Sequence, residues 1–507
     1  MTNLTRDDAL SIAAALRLPS RPFIGGDYRN TTAGRSFKSV NPATGEGLAE
    51  IEGCSLSDVD AAVAAAKATF QSGVWSHKHP SERKAVLQRF AELINRNLQE
   101  LAVLESLDSG KPITDCLTVD VPFTASTIAW HAEAQDKLFS RIASTDSNAL
   151  GMIVREPLGV VGLVLPWNFP MLMAGWKLGP ALATGNSVVL KPSQMTTLSA
   201  LRMAELAVEA GIPAGVLNVV TGSVEVGEAL GLHPDVRIIS FTGSTEVGRM
   251  FLDYSRRSNL KRIVLELGGK NPAVVLADAP SLDFVAEQQA FSILTNMGQN
   301  CASNSRLIVH RAIKDELVEK VVAACRSWKL GDPLDPSTQL GPVIGANHCN
   351  NIKKYLEKGR AEGAKLACGG NQLDRPGYFI EATVFDRVTP DMTIYREEIF
   401  GPVLTITEAR DDDHAIELAN DTEYGLTASL YTTDLGKAHK LSRGLSAGTV
   451  SVNCYSEGEI STPFGGFKQS GFGGRDNGLE AHEQYTEVKT VWMNLAPPAR
   501  PDPESKR

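Results

Sequence analysis

The sequence predicts an α/β protein whose parallel sheets are built from βαβ units. Between residues 151 and 270, short apolar runs alternate with helical stretches, which is typical of strands that are buried on both faces. A second alternating segment spans about 271–470 and begins with NPAVVLADA. The chain has 507 residues, more than one hydrophobic core accommodates. We therefore predict two α/β units with a ligand-binding cleft between them, at the carboxyl ends of the strands.

The first alternating segment contains five predicted strands with helices between them. Each strand is a run of mostly β-branched and apolar residues that is bounded by glycine or proline. The runs are VVGLVLP (160–166), SVVLKP (187–192), VLNVVTG (216–222), IISFTG (238–243) and KRIVLELGG (261–269). Between 60 and 110, apolar residues recur at spacings of three and four, which predicts helices. We assign 22–124 with 151–270 to the first unit and 271–470 to the second.

Three further segments lie outside these units. Residues 1–21 predict a short amphipathic helix or arm, and the proline-rich segment 497–507 predicts a disordered tail. The segments 125–150 and 480–495 resemble strands that have no partner inside either unit. Because unpaired strand edges are costly, we expect both segments to pair across a subunit interface in a homo-oligomer.

Composition excludes several classes of function. The formal net charge of -9 argues against a nucleic-acid partner. No apolar run reaches the ~18 residues of a membrane span, and no signal peptide is recognisable. The seven cysteines are dispersed without a CxxC pair, and the nine histidines form no HExxH motif, so no metal site is predicted. We expect a cytoplasmic protein that binds neither nucleic acid nor membrane.

Three side chains of complementary chemistry lie near predicted strand ends. Cys301 lies in NMGQNCASNSR, and a cysteine taken alone is more often a buried structural thiol than a nucleophile. However, Glu266 precedes the Gly-Gly turn of LELGGKNP at the end of one strand, and Asn168 lies in PWNFP after another. A thiol, a carboxylate and an amide in one cleft supply a nucleophile, a general base and an oxyanion donor.

Eight motifs in order along the chain carry a resemblance to a known family. They are PWNFP (166–170), GNSVVLKPS (185–193), FTGSTEVG (241–248), LELGGKNP (265–272), GQNC (298–301), REEIFGPV (396–403), NDTEYGL (420–426) and PFGGFKQSG (463–471). From about residue 22 to 494 the chain resembles the NAD(P)-dependent aldehyde dehydrogenases. The resemblance implies a Rossmann-like nucleotide-binding domain, a catalytic domain and a small β extension for oligomerisation.

The resemblance also implies roles for individual residues. Cys301 attacks the aldehyde, Asn168 and the Cys301 backbone N–H hold the oxyanion of the thiohemiacetal, and Glu266 activates the water that hydrolyses the thioester. The positions that match cofactor contacts are Trp167, Lys191, Gln194, Gly243, Ser244, Val247, Glu398 and Phe400. At 194, relatives that prefer NAD carry a glutamate. Glutamine there repels a 2′-phosphate less, so we expect NAD to be used and NADP to be accepted at least in part.

The substrate side resembles the dehydrogenases of ω-amino, guanidino and γ-glutamylamino aldehydes. The matching positions at the substrate mouth are Asp120, Phe169, Met173, Trp176, Glu457 and Phe464, and Glu459 lies near them in CYSEGEIST. Carboxylates at an aromatic opening favour a cationic substrate. Two interpretations of the substrate remain: an aldehyde with a cationic tail, and a broad range of aliphatic or aromatic aldehydes.

Rival functions use the same cysteine. A dehydrogenase that transfers the acyl group to coenzyme A would generally lack the glutamate at 266. A hydrolase would leave Lys191, Glu398 and Phe400 without a purpose. An inactive structural homologue would not need the whole set of matching residues. The sequence therefore favours a hydrolysing aldehyde dehydrogenase.

Overall fold

The computed structural model describes residues 4–32 and 34–496, so the predicted tail at 497–507 lies outside the described residues. In chain order the strands are β1 (Phe23–Ile24), β2 (Asp27–Tyr28), β3 (Phe37–Val40), β4 (Gly47–Ile51), β5 (Arg141–Ala143), β6 (Ala149–Pro157), β7 (Val160–Val164), β8 (Ser187–Lys191), β9 (Leu217–Val219), β10 (Val236–Thr242), β11 (Arg262–Glu266), β12 (Pro272–Val275), β13 (Arg306–His310), β14 (Lys365–Cys368), β15 (Thr383–Asp386), β16 (Val403–Ala409), β17 (Thr427–Tyr431), β18 (Thr449–Val452), β19 (Gly471–Phe472) and β20 (Thr486–Asn494).

Seventeen α-helices alternate with these strands along the described chain. They are α1 (Arg6–Ala15), α2 (Leu56–Ser72), α3 (Pro80–Arg96), α4 (Leu98–Ser109), α5 (Ile113–Asp115), α6 (Val121–Ala134), α7 (Pro170–Ala183), α8 (Leu198–Glu209), α9 (Val224–Leu232), α10 (Thr245–Arg257), α11 (Leu282–Leu294), α12 (Lys314–Arg326), α13 (Ala346–Ala361), α14 (Thr393–Arg396), α15 (Asp412–Asn420), α16 (Leu435–Ser442) and α17 (Glu480–Gln484). A π-helical turn, Cys116–Asp120, joins α5 to α6.

The first sheet has the strand order β19-β11-β10-β7-β8-β9-β1-β2. Its five central strands run parallel and are the five that the sequence predicts, while β19, β1 and β2 form antiparallel edges. Along β7, Val161 and Leu163 pack into one core and Val160 and Val164 into the other, because side chains alternate between the two faces. The parallel register of β10 and β11 places Thr242 beside Glu266.

The second sheet has the order β14-β15-β16-β13-β12-β17-β18 and is parallel except for the β14–β15 pair. It too is covered on both faces, by two separate apolar clusters. Two α/β units with parallel sheets, as predicted, are therefore present. The chain returns from the second unit to the first, because β19 pairs with β11.

The flanking segments differ from the prediction. Residues 125–134 belong to α6 and residues 480–484 to α17, so neither predicted segment is strand throughout. The strands that do form pair with each other inside one chain, in a three-stranded antiparallel sheet of order β20-β6-β5. The sequence pattern could not reveal this pairing, since β6 and β20 lie more than 300 residues apart.

Close helix packing fixes the segment that leads into the cleft. Helix α7 is buried along its whole length and packs against α6. A Cβ at Gly175 would come within 3.2 Å of the Thr124 Cα, and one at Gly179 within 2.7 Å of the His131 ring. Both positions therefore require glycine, because a larger side chain would push the two helices apart.

A buried arginine ties the second sheet together. The Arg306 guanidinium, at the start of β13, donates to the carbonyl oxygens of Lys270 (2.8 Å), Leu418 (3.0 Å) and Ala419 (2.8 Å). These bonds join the chain before β12 to the end of α15, so one side chain satisfies three buried carbonyl groups.

We expect Arg306→Met to lower the free energy of unfolding by about 3 kcal/mol or more, because it removes the donor to the buried Lys270 and Ala419 carbonyl groups, whereas Leu418 keeps the Tyr395 hydroxyl. The urea-unfolding midpoint, followed by circular dichroism, measures the loss. The matched control is Arg311→Met, at an exposed position just beyond the same strand, which should change stability by less than about 0.5 kcal/mol. Equal effects of the two exchanges would contradict the assignment.

Candidate active site

Two cavities meet between the two α/β units. One has a volume of about 230 Å³ and is lined by Trp167, Gly243, Ser244, Glu398 and Phe400 among others. The other is lined by aromatic and aliphatic side chains together with Asn300, Glu457 and Asp476. The two share the residues Asn168, Thr242, Glu266, Leu267 and Cys301. The thiol, the carboxylate and the amide that the sequence singles out therefore lie at the meeting point of two binding spaces.

The loop before Cys301 has a strained backbone. Asn296 and Met297 both adopt left-handed conformations, with φ of 51° and 57°, although neither is glycine. Such conformations persist only where the surroundings hold them. Here the Asn296 side-chain amide donates to the Asn168 carbonyl oxygen (2.8 Å), and the Gln299 side chain accepts from the Ile344 N–H (2.9 Å). The position of Cys301 is thus fixed from both units.

The Asn168 side chain points to the same place. Its amide nitrogen donates one hydrogen to the Gln299 carbonyl oxygen at 2.8 Å. A side-chain amide has two N–H groups, so the second remains available for a ligand in the cavity. This geometry suits a donor to an oxyanion that forms next to Cys301.

Burial and negative neighbours make the Cys301 thiol a weak acid in this state. Burial raises the pKa of Cys301 well above its usual value, and the carboxylates of Glu457, Glu398 and Glu266 raise it further. The thiolate is the nucleophilic form of cysteine. These surroundings therefore oppose ionisation of the thiol.

Glu266 is a buried carboxylate without a fixed partner. Among the described residues neither of its side-chain oxygens has a hydrogen-bond donor. Burial, and then Asp476, raise the pKa of Glu266 well above its usual value, whereas Lys177 and Arg475 lower it. A Cβ at Gly465 would come within 2.7 Å of a Glu266 oxygen, which explains the glycine in the PFGGFKQSG motif. A carboxylate with a raised pKa and free oxygens can accept a proton from water.

The cavity beside Glu398 has groups suited to a dinucleotide. The Glu398 carboxylate accepts from the Gly269 N–H (2.9 Å), and burial raises the pKa of this group to about 7. A Cβ at Gly268 would overlap a Glu398 oxygen and one at Gly269 would lie 2.7 Å from the Cys301 carbonyl oxygen, so LELGG needs both glycines. The Phe400 ring packs edge-on against Trp167, with centroids 5.3 Å apart.

The remaining predicted cofactor residues extend from this cavity along the first sheet. Ser244 caps α10, its hydroxyl accepting from the Val247 N–H, so an open helix N-terminus faces the cavity. Lys191 ends β8, and burial lowers the pKa of its amine to about 8. Its ammonium donates to the Pro192 carbonyl oxygen at 3.3 Å. Gln194 lies exposed in the turn that follows.

On the other side of Cys301, most of the predicted substrate residues line one cavity. Phe169, Met173, Trp176, Phe464 and Glu457 are brought together there. Asp120 is not part of this lining. It is buried in the π-helical turn and forms an ion pair with Lys111. Glu459 is exposed to solvent on the loop.

The match to a protein family decides the class of this protein. The family model described as "Aldehyde dehydrogenase family" matches residues 28–491. The chain belongs to the aldehyde dehydrogenase family. The predicted family, fold class and enzyme class, an NAD(P)-dependent aldehyde dehydrogenase, are thereby confirmed.

Several relatives of this aldehyde dehydrogenase match over nearly the whole chain. An aminoacetaldehyde dehydrogenase of Pseudomonas aeruginosa is 54% identical over 97% of this chain and 99% of its own. The NADP/NAD-dependent aldehyde dehydrogenase PuuC of Escherichia coli is 46% identical, with 97% and 98% covered. The solved structure of the P. syringae indole-3-acetaldehyde dehydrogenase AldA with NAD+ has a TM-score of 0.96 and 47% identity, with 97% and 100% covered.

Sequence reasoning missed four side chains of this aldehyde dehydrogenase site. Asn300 donates to both Tyr455 (3.1 Å) and Glu457 (2.7 Å), and so links the nucleophile loop to the substrate loop. Lys111 places its ammonium 3.9 Å from the Phe169 ring centroid. The His348 ring lies against Trp167 and bonds the Phe400 carbonyl oxygen at 2.7 Å. Asn300 adjoins Cys301 in the GQNC motif, which was the one available signal.

Within the described residues no group of histidine, cysteine, aspartate and glutamate side chains is arranged to hold a metal ion. Among the helices of the described chain, none is both long enough and apolar enough to span a membrane.

Proposed function

We propose that this aldehyde dehydrogenase oxidises short aldehydes that carry a cationic amino group, and that it uses NAD as its principal hydride acceptor. The observation that carries the proposal is Glu457, a carboxylate that lines the same cavity as Cys301. Two further carboxylates line this cavity: Asp476 is paired with Lys177, and Glu266 has the role of general base, so Glu457 is the acidic group left for a substrate ammonium beside the aromatic and aliphatic side chains. Aromatic rings such as Trp176 add attraction for a cation.

The name of one relative supports this substrate class, and the name of a second supports the cofactor. One is an aminoacetaldehyde dehydrogenase, 54% identical to this chain. The other, PuuC, is named for its use of both NADP and NAD. A broad-specificity enzyme would gain nothing from a carboxylate in the substrate cavity, because burying it costs free energy.

In the proposed mechanism the thiolate of Cys301 adds to the aldehyde carbon and forms a thiohemiacetal. The developing oxyanion accepts hydrogen bonds from the free N–H of the Asn168 amide and from the Cys301 backbone N–H. Once the hydride has left, the acyl group remains on Cys301 as a thioester. Glu266 then takes a proton from water, the hydroxide attacks the thioester, and the acid is released with the thiol restored.

The cavity beside Glu398 and the residues next to it fit a dinucleotide. The buried Lys191 ammonium and the free oxygen of Glu398 suit ribose hydroxyl groups, and the N-terminus of α10 suits a pyrophosphate. A nicotinamide held there would supply the acceptor for the hydride of the thiohemiacetal carbon. Trp167 and Phe400 form the wall of the cavity and exclude water from that end.

The substrate proposal is tested with two aldehydes of equal size, aminoacetaldehyde and propionaldehyde. We expect Glu457→Gln to lower kcat/KM for the cationic aldehyde at least about tenfold relative to that for the neutral one, because the amide carries no charge. NADH formation at 340 nm measures both.

Glu459→Gln, two residues further along the loop and exposed, is the matched control and should leave the ratio unchanged. If wild-type protein shows no preference for the cationic aldehyde, or if Glu457→Gln leaves the preference intact, the substrate proposal is wrong.

Gln194 sets the cofactor preference in this proposal. We expect wild-type protein to use NADP with an efficiency within about 10³-fold of that for NAD, and Gln194→Glu to lower the NADP efficiency at least about tenfold while NAD use persists. The reason is that a carboxylate at this exposed turn repels a 2′-phosphate. An unchanged NADP efficiency in the variant would remove Gln194 from the cofactor site.

We also propose that the protein is a homo-oligomer that associates through the three-stranded sheet. Strands β5 and β20 are the two edges of this sheet, and Phe139 and Ile142 beside or on β5 are 81% and 74% exposed. Light scattering should give a multiple of the 54.4 kDa chain, and Ile142→Asp should reduce it. Leu435→Asp, at an equally exposed leucine of α16, should not, and a monomeric wild type would refute the proposal.

A further inference from the structure

Glu457 is connected to the nucleophile as well as to the substrate cavity. Its Oε1 accepts from the Asn300 side-chain amide at 2.7 Å, and the Tyr455 hydroxyl lies 3.1 Å from the same oxygen. The Asn300 Oδ1 in turn accepts from the Ala302 N–H at 2.9 Å, so Asn300 spans the peptide of Cys301. The carboxylate is therefore held at a fixed place beside the thiol.

The partners of Glu457 do not cancel its charge. Asn300 and Tyr455 are neutral donors, and both bond one oxygen. The cation that acts on its carboxylate is Lys111, which lies against the Phe169 ring and is paired with Asp120. Burial raises the pKa of Glu457, while Asn300, Tyr455 and then Lys111 lower it. Among the described residues, the Glu457 carboxylate thus has hydrogen-bond donors but no paired cation.

We propose that the ammonium group of the substrate does more than bind: by pairing with Glu457 it relieves Cys301 of that negative field, and so the cationic substrate activates the nucleophile that attacks it. The inference rests on the substrate proposal above. In this inference Glu457 is a positioning residue: it pairs with the ammonium group of the substrate and thereby changes the ionisation of the Cys301 thiol.

The electrostatics of the site favour this coupling. Three carboxylates face Cys301, those of Glu457, Glu398 and Glu266, and Glu457 contributes the largest of the three effects that raise the pKa of the thiol. Tyr455 also faces the thiol but is neutral at ordinary pH. A charge within about 4–6 Å shifts the pKa of an ionisable group by about 1–3 units. Glu457 is the carboxylate of the three that belongs to the aldehyde cavity alone, so a substrate tail reaches it directly.

The coupling would make the enzyme discriminate between cationic and neutral aldehydes in the chemical step as well as in binding. A neutral aldehyde enters the cavity but leaves the charge of Glu457 uncompensated, so the thiolate stays scarce. A cationic aldehyde compensates the charge while it brings its carbonyl carbon to the thiol. Binding energy from a remote part of the substrate is thus used to stabilise the reactive form of Cys301.

The experiment measures Cys301 ionisation without turnover. The rate of Cys301 alkylation by iodoacetamide is followed from pH 6 upward until the rate levels off, with the alkylated site identified by mass spectrometry. Saturating ethylammonium, which has a methyl group in place of the carbonyl group of aminoacetaldehyde, is compared with 1-propanol, which carries no charge. Ligand in the cavity lowers the rate at every pH alike, so the midpoint of the profile is the quantity that reports ionisation. We expect ethylammonium to lower the midpoint by about one pH unit, about tenfold more thiolate at neutral pH, and 1-propanol to leave it unmoved.

Two variants separate the possible causes. Glu457→Gln should have a lower midpoint without any ligand and should no longer respond to ethylammonium. Glu459→Gln, exposed on the same loop, should behave as wild type. If ethylammonium competes with aminoacetaldehyde yet leaves the wild-type midpoint unchanged, the inference is wrong and the substrate proposal stands. If ethylammonium does not compete at all, both are wrong.

Discussion

The structure depends on the burial of like charges around one thiol. Glu266, Glu398 and Glu457 converge on Cys301 at the junction of the two α/β units, and each has a raised pKa because burial disfavours its charged form. Such an arrangement opposes folding, and it persists because the surrounding scaffold is rigid. The same burial and the same carboxylates raise the pKa of the Cys301 thiol. The cost in stability and the control of reactivity therefore have one cause.

Rigidity comes from contacts between distant segments rather than from local preference. Asn296 and Met297 hold left-handed conformations that their residue types disfavour, and hydrogen bonds from Asn296 to Asn168 join this loop to the first unit. The glycines of LELGG allow Glu398 and the Cys301 backbone to approach on either side. Arg306 fixes the end of that loop to α15. The nucleophile is thus located by both sheets at once.

Much of this could be predicted from the sequence, and the limits have identifiable reasons. The five central strands follow from apolar runs, because burial on both faces of a parallel sheet leaves a clear pattern. Cys301, Glu266 and Asn168 could be grouped because each lies at a predicted strand end or in a motif. The β6–β20 pair could not, since its register depends on two segments 300 residues apart that carry no complementary pattern. Lys111 and Tyr455 could not either, because neither lies in a motif.

Asp120 and Glu457 show why the position of an acidic residue in the sequence does not predict the electrostatic field in a pocket. The same reasoning placed both at the substrate mouth, yet Asp120 is held by Lys111 behind the Phe169 ring, whereas Glu457 faces the cavity with neutral partners. The two carboxylates differ in whether a cation lies close enough to pair with them, and tertiary packing determines this. Lys111 neutralises one carboxylate and lies far enough from the other to lower its pKa without pairing with it. Glu457 therefore has no paired cation among the described residues, and in the proposed function this asymmetry with Asp120 is the physical basis for selecting a cationic substrate.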